Sequence, residues 1–434
     1  MKSQFSLFLT RRFLPLFLTQ FLGAFNDNLF KSALVTLITY DLAARYGVNA
    51  PILITVVAGL FILPFFLFSS LAGQISDKYE KSRLIRIIKL AEIILMVLTA
   101  AAFHYVQMWW LIALLFLMGT QSTFFGPLKY SVLPQLLRED ELVAGNGLVN
   151  AGTNVAILTG TLCGGLLIMS PLGRWYIAAG VVGVAAAGYL ASRFIPVLPA
   201  SSPGLRIDRN LFRSTWRLIT YPVPNRPVFM SIIGISWFWF LGSVFLAQFP
   251  SYAKDIVGGD EQVSTLFLVV FTVGIGSGAT FCNRLLGGRV SGRYVPASLV
   301  AISVFIVMLY IVSPSGASGG ALAGVREFLA AGRSWLVILS MFLIAASGGL
   351  YSIPMYALMQ HLTPETHMAR TIASLNIIDS LFMVCAAALM SAMIAAGMSI
   401  NGVFLSMAFI NLLMLPLTLK LAKTKADKKS QEAA

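Results

Sequence analysis

The chain has 434 residues, 58% of them hydrophobic and only 11% charged, with a mean hydropathy of +0.83 and a formal net charge of +14. Soluble domains carry about 25% charged residues, so this composition excludes a water-soluble globular protein and leaves a polytopic membrane protein. The surplus Lys and Arg fall in short segments between apolar runs, which is a topogenic pattern and not a nucleic-acid-binding patch, so nucleic acid is excluded as a partner.

Apolar stretches of spanning length fall at 13–40, 50–75, 84–105, 108–128, 144–170 and 174–196, then at 228–253, 262–284, 294–313, 335–359, 370–393 and 398–422. Each can cross a hydrocarbon layer of about 30 Å as a helix. The expected fold is an all-α membrane protein with twelve transmembrane helices in two six-helix bundles, residues 1–195 and 228–422. A Pro-, Ser- and Arg-rich cytoplasmic linker, 196–227, joins them, and a charged tail, 423–434, closes the chain. The Ser/Gly/Ala-rich stretch 313–331 reads as an external loop.

Basic residues set the orientation. Lys2, Arg11 and Arg12 precede the first span, Lys78, Lys81 and Arg83 follow the second, and Lys129 and Arg138 follow the fourth. Arg206, Arg209, Arg213, Arg217 and Arg226 occupy the linker, Arg284, Arg289 and Arg293 follow the eighth span, and four lysines lie in the tail. The opposite loops hold only Arg45, Arg174, Lys254, Arg326 and Arg333. Both termini are therefore expected in the cytoplasm. Cys163, Cys282 and Cys385 stand apart in apolar segments, without metal-ligand or disulfide spacing, and read as small core residues.

The first span contains a polar knot, Phe25-Asn26-Asp27-Asn28-Leu29-Phe30-Lys31. Asp27 falls near the bilayer midplane, where an ionised side chain costs at least about 2.5 kcal/mol. Helical spacing gathers Gln20, Gly23, Ala24, Asp27, Lys31 and Leu34 on one stripe, which must face protein or a water-filled cavity. That points to a substrate or ion site. An Asp27–Lys31 pair that neutralises itself at i,i+4 is the plainer alternative.

Farther along, Asn146, Asn150 and Asn154 form an amide stripe on the fifth span. Amides both donate and accept, which suits a phosphate, an ammonium or a hydroxyl, although such residues also serve as interhelical contacts. Lys129, at the cytoplasmic end of the fourth span, can attract a phosphate or mark the boundary. The second half offers Asn376 and Asp379 on the eleventh span, with Gln360 weaker. Its seventh span is aromatic, Trp237-Phe238-Trp239-Phe240 with Phe245, Phe249 and Gln248, either as packing or as a wall for an acyl chain. Glycines at 160, 164 and 165 and at 274, 276 and 278 permit close helix contact. No Walker sequence, no nucleophile–base set and no metal-like cluster around His104, His361 or His367 is present, so no enzymatic activity, cofactor or metal is expected.

Gly73-x-x-x-Asp77-x-x-x-x-x-Arg83 resembles the loop signature of the major facilitator superfamily, with a weaker echo at Asn283–Arg293. Gly73 would allow close packing, Asp77 would latch the cytoplasmic side by pairing with basic groups or a helix N-terminus, and Arg83 would anchor the third span. Leu22-Gly23-Ala24-Phe25-Asn26-Asp27-Asn28, Gly126-Pro127-Leu128-Lys129-Tyr130 and Ala144-Gly145-Asn146-Gly147-Leu148 resemble the bacterial lysophospholipid transporter family. The resemblance covers the whole chain and is closest to the transporter half of transporter–acyltransferase fusions. Asn150 and Leu246 stand where the stand-alone branch has Glu and Arg.

The resemblance implies flipping of lysophosphatidylethanolamine and lysophosphatidylglycerol across the bacterial inner membrane for reacylation, with a separate lysophospholipid acyltransferase as partner and a monomeric carrier. Asp27 would be the acidic residue of the first helix and Lys129 the lysine of the Pro-x-Lys-Tyr motif. A proton-coupled multidrug exporter, a scaffold for an acyltransferase and a small-solute permease are the competing readings.

Overall fold

The computed structural model describes residues 4–423 except 49, 209, 221–223, 288 and 315–321. Lys2, Arg209, the middle of the Ser/Gly/Ala-rich loop and the charged tail beyond Lys423 lie outside the described residues. Twelve long helices account for the expected spans. They are α1 Leu14–Leu37, α2 Ala50–Lys78, α3 Lys81–His104, α4 Met108–Ser131, α5 Leu142–Ile168 and α6 Gly173–Arg193, followed by α7 Arg226–Ser251, α8 Glu261–Leu286, α9 Val295–Val312, α10 Gly332–Leu362, α11 Met368–Ala395 and α12 Ile400–Leu412. The last is bent by 43° onto Leu415–Ala422. Among the described residues the only β-pairing is an isolated bridge between Gly259 and Ala323.

Helix ends follow local chemistry. The Asn225 side chain accepts from Val228 N ahead of α7, Asp260 accepts from Gln262 N and Val263 N ahead of α8, and Ser399 accepts from Gly402 N ahead of α12. Each satisfies backbone donors that the first helical turn leaves free. Pro15 and Pro227 sit in first turns, where no intrahelical N–H is lost. α1 continues past Leu37 as a π-helical turn over Ile38–Leu42.

Nine of the helices, α2 and α4–α11, are long and apolar enough to cross a membrane, and α12 with its continuation makes ten. The other two, α1 and α3, each carry two charged residues within the span: Asp27 and Lys31 on α1, Lys89 and Glu92 on α3.

The chain divides into two compact units. The first comprises Met1–Arg138, Gly152–Pro222 and Thr363–Ile377, and the second Glu139–Ala151, Val223–Leu362 and Ile378–Ala434. In the first unit α2 packs on α4, while α6 packs on both α1 and α3. The backbone of α5 lies directly on α1: a Cβ at Gly160 would sit 2.4 Å from Phe25 O, and one at Gly164 would sit 2.4 Å from Leu29 O. Only glycine permits that approach. The helix bearing Asp27 is thus clamped immediately beside its polar knot. In the second unit α10 is the central element, packed against α7, α8 and α9.

Cys282 is buried and Cys163 partly so, but Cys385 is exposed, contrary to its expected core position. On a membrane helix an apolar run does not distinguish a core-facing residue from one facing lipid.

Candidate functional site

The polar knot on α1 separates into three environments. Asn26 is fully buried, and its Nδ2 donates to Glu92 Oε1 at 3.1 Å. Asn28 Nδ2 turns back to Ala24 O of its own helix at 2.8 Å. Asp27 remains half-buried and accepts the Ser122 hydroxyl of α4 at 2.7 Å. Lys31 stands over the Phe61 ring, 5.2 Å from its centroid, and not in hydrogen-bonded contact with the carboxylate. The self-neutralising i,i+4 pair therefore does not form. Lys31 and Lys129 still lie within electrostatic reach of Asp27.

Behind Asp27 is a charged pair that the sequence reading passed over. Lys89 and Glu92 of α3 are each 1% exposed, and Lys89 Nζ meets Glu92 Oε2 at 2.6 Å. Gln121 Nε2 donates to the same oxygen at 3.1 Å, so both carboxylate oxygens are engaged, by an ammonium and two amides. The lysine ammonium also lies over the Phe125 ring, 5.0 Å from its centroid. Gly23 makes room for it, since a Cβ there would fall 2.5 Å from Lys89 Nζ. The Ser122 hydroxyl that reaches Asp27 also lies 3.2 Å from Gln121 Oε1. A continuous chain of polar contacts thus runs Lys89–Glu92–Gln121–Ser122–Asp27, with Asn26 joined at Glu92. Lys89 and Glu92 cancel each other's charge, so Asp27 is the carboxylate of this chain that keeps an accessible surface.

The loop after α2 is equally well defined. Asp77 is fully buried and accepts from Ala369 N at 3.0 Å, Arg370 N at 3.3 Å and Arg370 Nε at 2.8 Å. It caps the start of α11 and makes an ion pair with the same segment. Gly73 lies one turn earlier, where a Cβ would be 2.7 Å from Ala373 Cβ and 3.1 Å from Ala369 O. Arg83 is exposed, and the arginine that reaches back across this region is Arg86, which donates to Ile195 O at 3.3 Å.

The remaining expected residues each have surroundings of their own. Asn146 is buried and exchanges two amide hydrogen bonds with Gln360, at 2.6 and 3.1 Å. Asn150 is buried and Asn154 half-buried, while Lys129 is half-buried with its ammonium over the Tyr130 ring. In the second unit Asp379 accepts the Ser236 hydroxyl at 2.5 Å. Trp237 donates its indole N–H to Asn411 Oδ1 at 2.8 Å and stacks on Phe240 at 4.7 Å. Gln248 Nε2 contacts Met390 Sδ at 3.1 Å. Phe245 and Phe249 are fully buried among Phe271, Phe404 and Phe267, so these α7 rings are interior packing. In the first unit, half-buried Asn376 of α11 lies near α4, its Nδ2 2.9 Å from where a Cβ on Gly126 would stand.

The sequence model described as Major Facilitator Superfamily matches residues 16–325. The chain belongs to the major facilitator superfamily. Among relatives of this major facilitator chain, lysophospholipid transporter LplT of Photorhabdus laumondii is 28% identical over 94% of the chain and 95% of that protein. LplT of Enterobacter sp. strain 638 is 26% identical over 88% and 89%. Among solved structures, the major facilitator transporter FucP in the outward conformation superposes with a TM-score of 0.67 at 14% identity, over 95% of this chain and 99% of that one. The human organic anion transporter MFSD10 gives 0.70 at 13% identity, over 94% and 99%. These structures share the major facilitator fold.

The signal for the missed pair was present in the third span. Lys89 and Glu92 are spaced i,i+3 inside an otherwise apolar run, one helical turn apart on one face. Arg370, by contrast, lies 293 positions from Asp77, and no local pattern joins the two.

Proposed function

We propose that this chain is a lysophospholipid transporter that carries lysophosphatidylethanolamine and lysophosphatidylglycerol from the outer to the inner leaflet of the bacterial inner membrane by alternating access. The observation that carries this reading is the half-buried carboxylate of Asp27, held by Ser122 at 2.7 Å in the middle of a membrane helix. A charge placed there needs a polar partner that comes and goes, because a permanent one would have been built in, as it is for Glu92. The ethanolamine ammonium or the glycerol hydroxyls of a lysolipid head supply such a partner. The likeness to LplT proteins over nearly their whole length favours this cargo over a drug-like cation.

In this reading Asp27 and Ser122 form the head-group contact, and Lys31 and Lys129 provide positive charge for the phosphate. Lys89, Glu92, Asn26 and Gln121 hold the site in shape from behind. Asp77 latches the start of α11 during the cycle, with Gly73 allowing the close approach. Both termini are cytoplasmic, the carrier works as a monomer, no enzymatic step is assigned to it, and reacylation falls to a separate acyltransferase.

The test is uptake of labelled lysophosphatidylethanolamine by spheroplasts expressing the chain, with and without an ionophore, for wild type and Asp27→Asn. Wild-type uptake that Asp27→Asn abolishes is the expected result. Uptake equal to that of empty spheroplasts would refute it, and export of cationic dyes with a steep pH dependence would point to the proton-coupled exporter.

A further inference from the structure

At the end of the first unit opposite Asp77, the structure contains a cleft of about 630 Å³ whose walls include Tyr40, Asp41, His104, Ser170, Arg174 and Trp175. That size is ordinary for a small-molecule site. A second, mostly apolar groove of about 320 Å³ adjoins it, shares His104, Arg174 and Trp175, and runs over Ala100, Ala101 and Ala178 of α3 and α6. None of these residues takes part in the Asp27 network.

Three features identify the chemistry of the occupant. First, two cations share one acid: Arg45 Nη2 is 3.2 Å from Asp41 Oδ1, and Arg174 Nη2 is 3.5 Å from Asp41 Oδ2. The second contact is long, which leaves the Arg174 guanidinium with donors to spare and the trio with a net positive charge. A guanidinium of this kind takes a phosphate in bidentate fashion. Second, the rim is aromatic. Tyr40 (66%), Tyr105 (69%), Trp109 (59%), Trp110 (66%) and Trp175 (60%) are all strongly exposed near this end. Exposed Tyr and Trp rings collect at head-group depth in membrane proteins. Third, the π-helical turn Ile38–Leu42 carries Tyr40 and Asp41 on the cleft wall, an irregularity that is frequent at functional sites. Arg45 and Arg174 are also the only basic residues of the first half that the charge pattern assigns to the outer side.

We propose that the two connected depressions bind a two-chain glycerophospholipid of the outer leaflet. Its phosphate lies on Arg174, the polar end of its head group faces Asp41 and Ser170, and one acyl chain follows the alanine-lined groove. A polar cleft opening into an apolar groove at head-group depth matches an amphiphile and not a free anion. The site is separate from the transport pathway proposed above and does not rest on it.

Native mass spectrometry of the purified full chain, titrated with palmitoyl-oleoyl phosphatidylglycerol, tests this inference. Wild type should retain one lipid adduct that Arg174→Gln holds about fivefold more weakly, the loss expected for one cation at a lipid surface. Ala101→Trp alters an exposed position, touches no charge and should remove the same adduct by filling the tail groove. Millimolar inorganic phosphate should leave the adduct in place. Unchanged retention in both variants would overturn the proposal. Displacement by inorganic phosphate alone would also overturn it, since the occupant would then be a free anion. Uptake of lysolipid by both variants reports folding, and its loss in Asp27→Asn alone keeps the two readings distinguishable.

Discussion

Glu92 and Lys89 offer the sharpest test of the buried network, because each alone is a liability and together they are not. Glu92→Gln keeps the shape of the side chain and an amide oxygen for Asn26, but leaves the Lys89 ammonium, 1% exposed, without its counter-ion. Removing one partner of a buried pair costs about 3–5 kcal/mol. The Phe125 ring, 5.0 Å away, softens this by about 2 kcal/mol through its attraction for the cation. Lys89→Met should fall at the low end of the same range, since Asn26 and Gln121 still donate to the carboxylate at 3.1 Å each. The double variant leaves no unpaired charge, so its cost should be smaller than that of either single change, a coupling of at least about 2 kcal/mol. Unfolding of the four proteins in mixed detergent–dodecyl sulfate micelles measures the cycle. If the two single costs simply add, to within about 0.5 kcal/mol, the pair does not act as a unit and the network has been misread.

Two further outcomes follow from the same geometry. Asp77→Asn removes the charge that holds Arg370 Nε at 2.8 Å and leaves one acceptor oxygen where two now take three donors, a loss of about 2 kcal/mol. Amide hydrogen exchange of 363–377 should accelerate accordingly, while exchange in α8 stays unchanged; protection equal to wild type would refute the latch. Asn146→Ala and Gln360→Ala each remove both hydrogen bonds of the buried amide pair, at 2.6 and 3.1 Å, at a cost of about 1–3 kcal/mol apiece. Their double variant should cost less than the sum in the same micelle assay, and strict additivity would count against the pairing.

How far the molecule was legible from its residues depends on distance along the chain. The spans were readable because apolar length is a local property, and the polar knot at Asn26–Asn28 was readable because it interrupts one. What Asn26 and Asn28 do was not: one turns inward to Glu92 on another helix and the other back to Ala24 of its own. The Gly73–Asp77 spacing pointed to basic groups or a helix start as partners for Asp77, yet which ones, Ala369 and Arg370, is set by tertiary structure. The α7 aromatics left two readings open, packing or an acyl-chain wall. Periodicity cannot distinguish rings that face a cavity from rings that face one another, and Trp237, Phe245 and Phe249 contact neighbouring side chains. Lys89 and Glu92 were overlooked for a related reason: a neutral i,i+3 pair reads as a local salt bridge until Asn26 and Gln121 are brought to it.

The helices that carry Asp27 and the Lys89–Glu92 pair, α1 and α3, are joined by this network through α4, and the same neighbour, α6, packs against both. α6 brings Ala, Gly and Val and little charge, and Gly188 on it lies against Lys89, 3.8 Å from where its Cβ would be to the ammonium. Polarity that lipid would reject is therefore wrapped by an apolar helix and paired within itself, at a cost the bundle must meet by packing. That arrangement makes sense of Asp27. With Glu92 neutralised by Lys89 and every Glu92 oxygen occupied, the network can hold Ser122 in place without supplying Asp27 with a cation of its own. The carboxylate is thus held by Ser122, with Lys31 and Lys129 within electrostatic reach but not bonded to it, which is the condition the proposed carrier needs if its cargo is to complete the site and then leave.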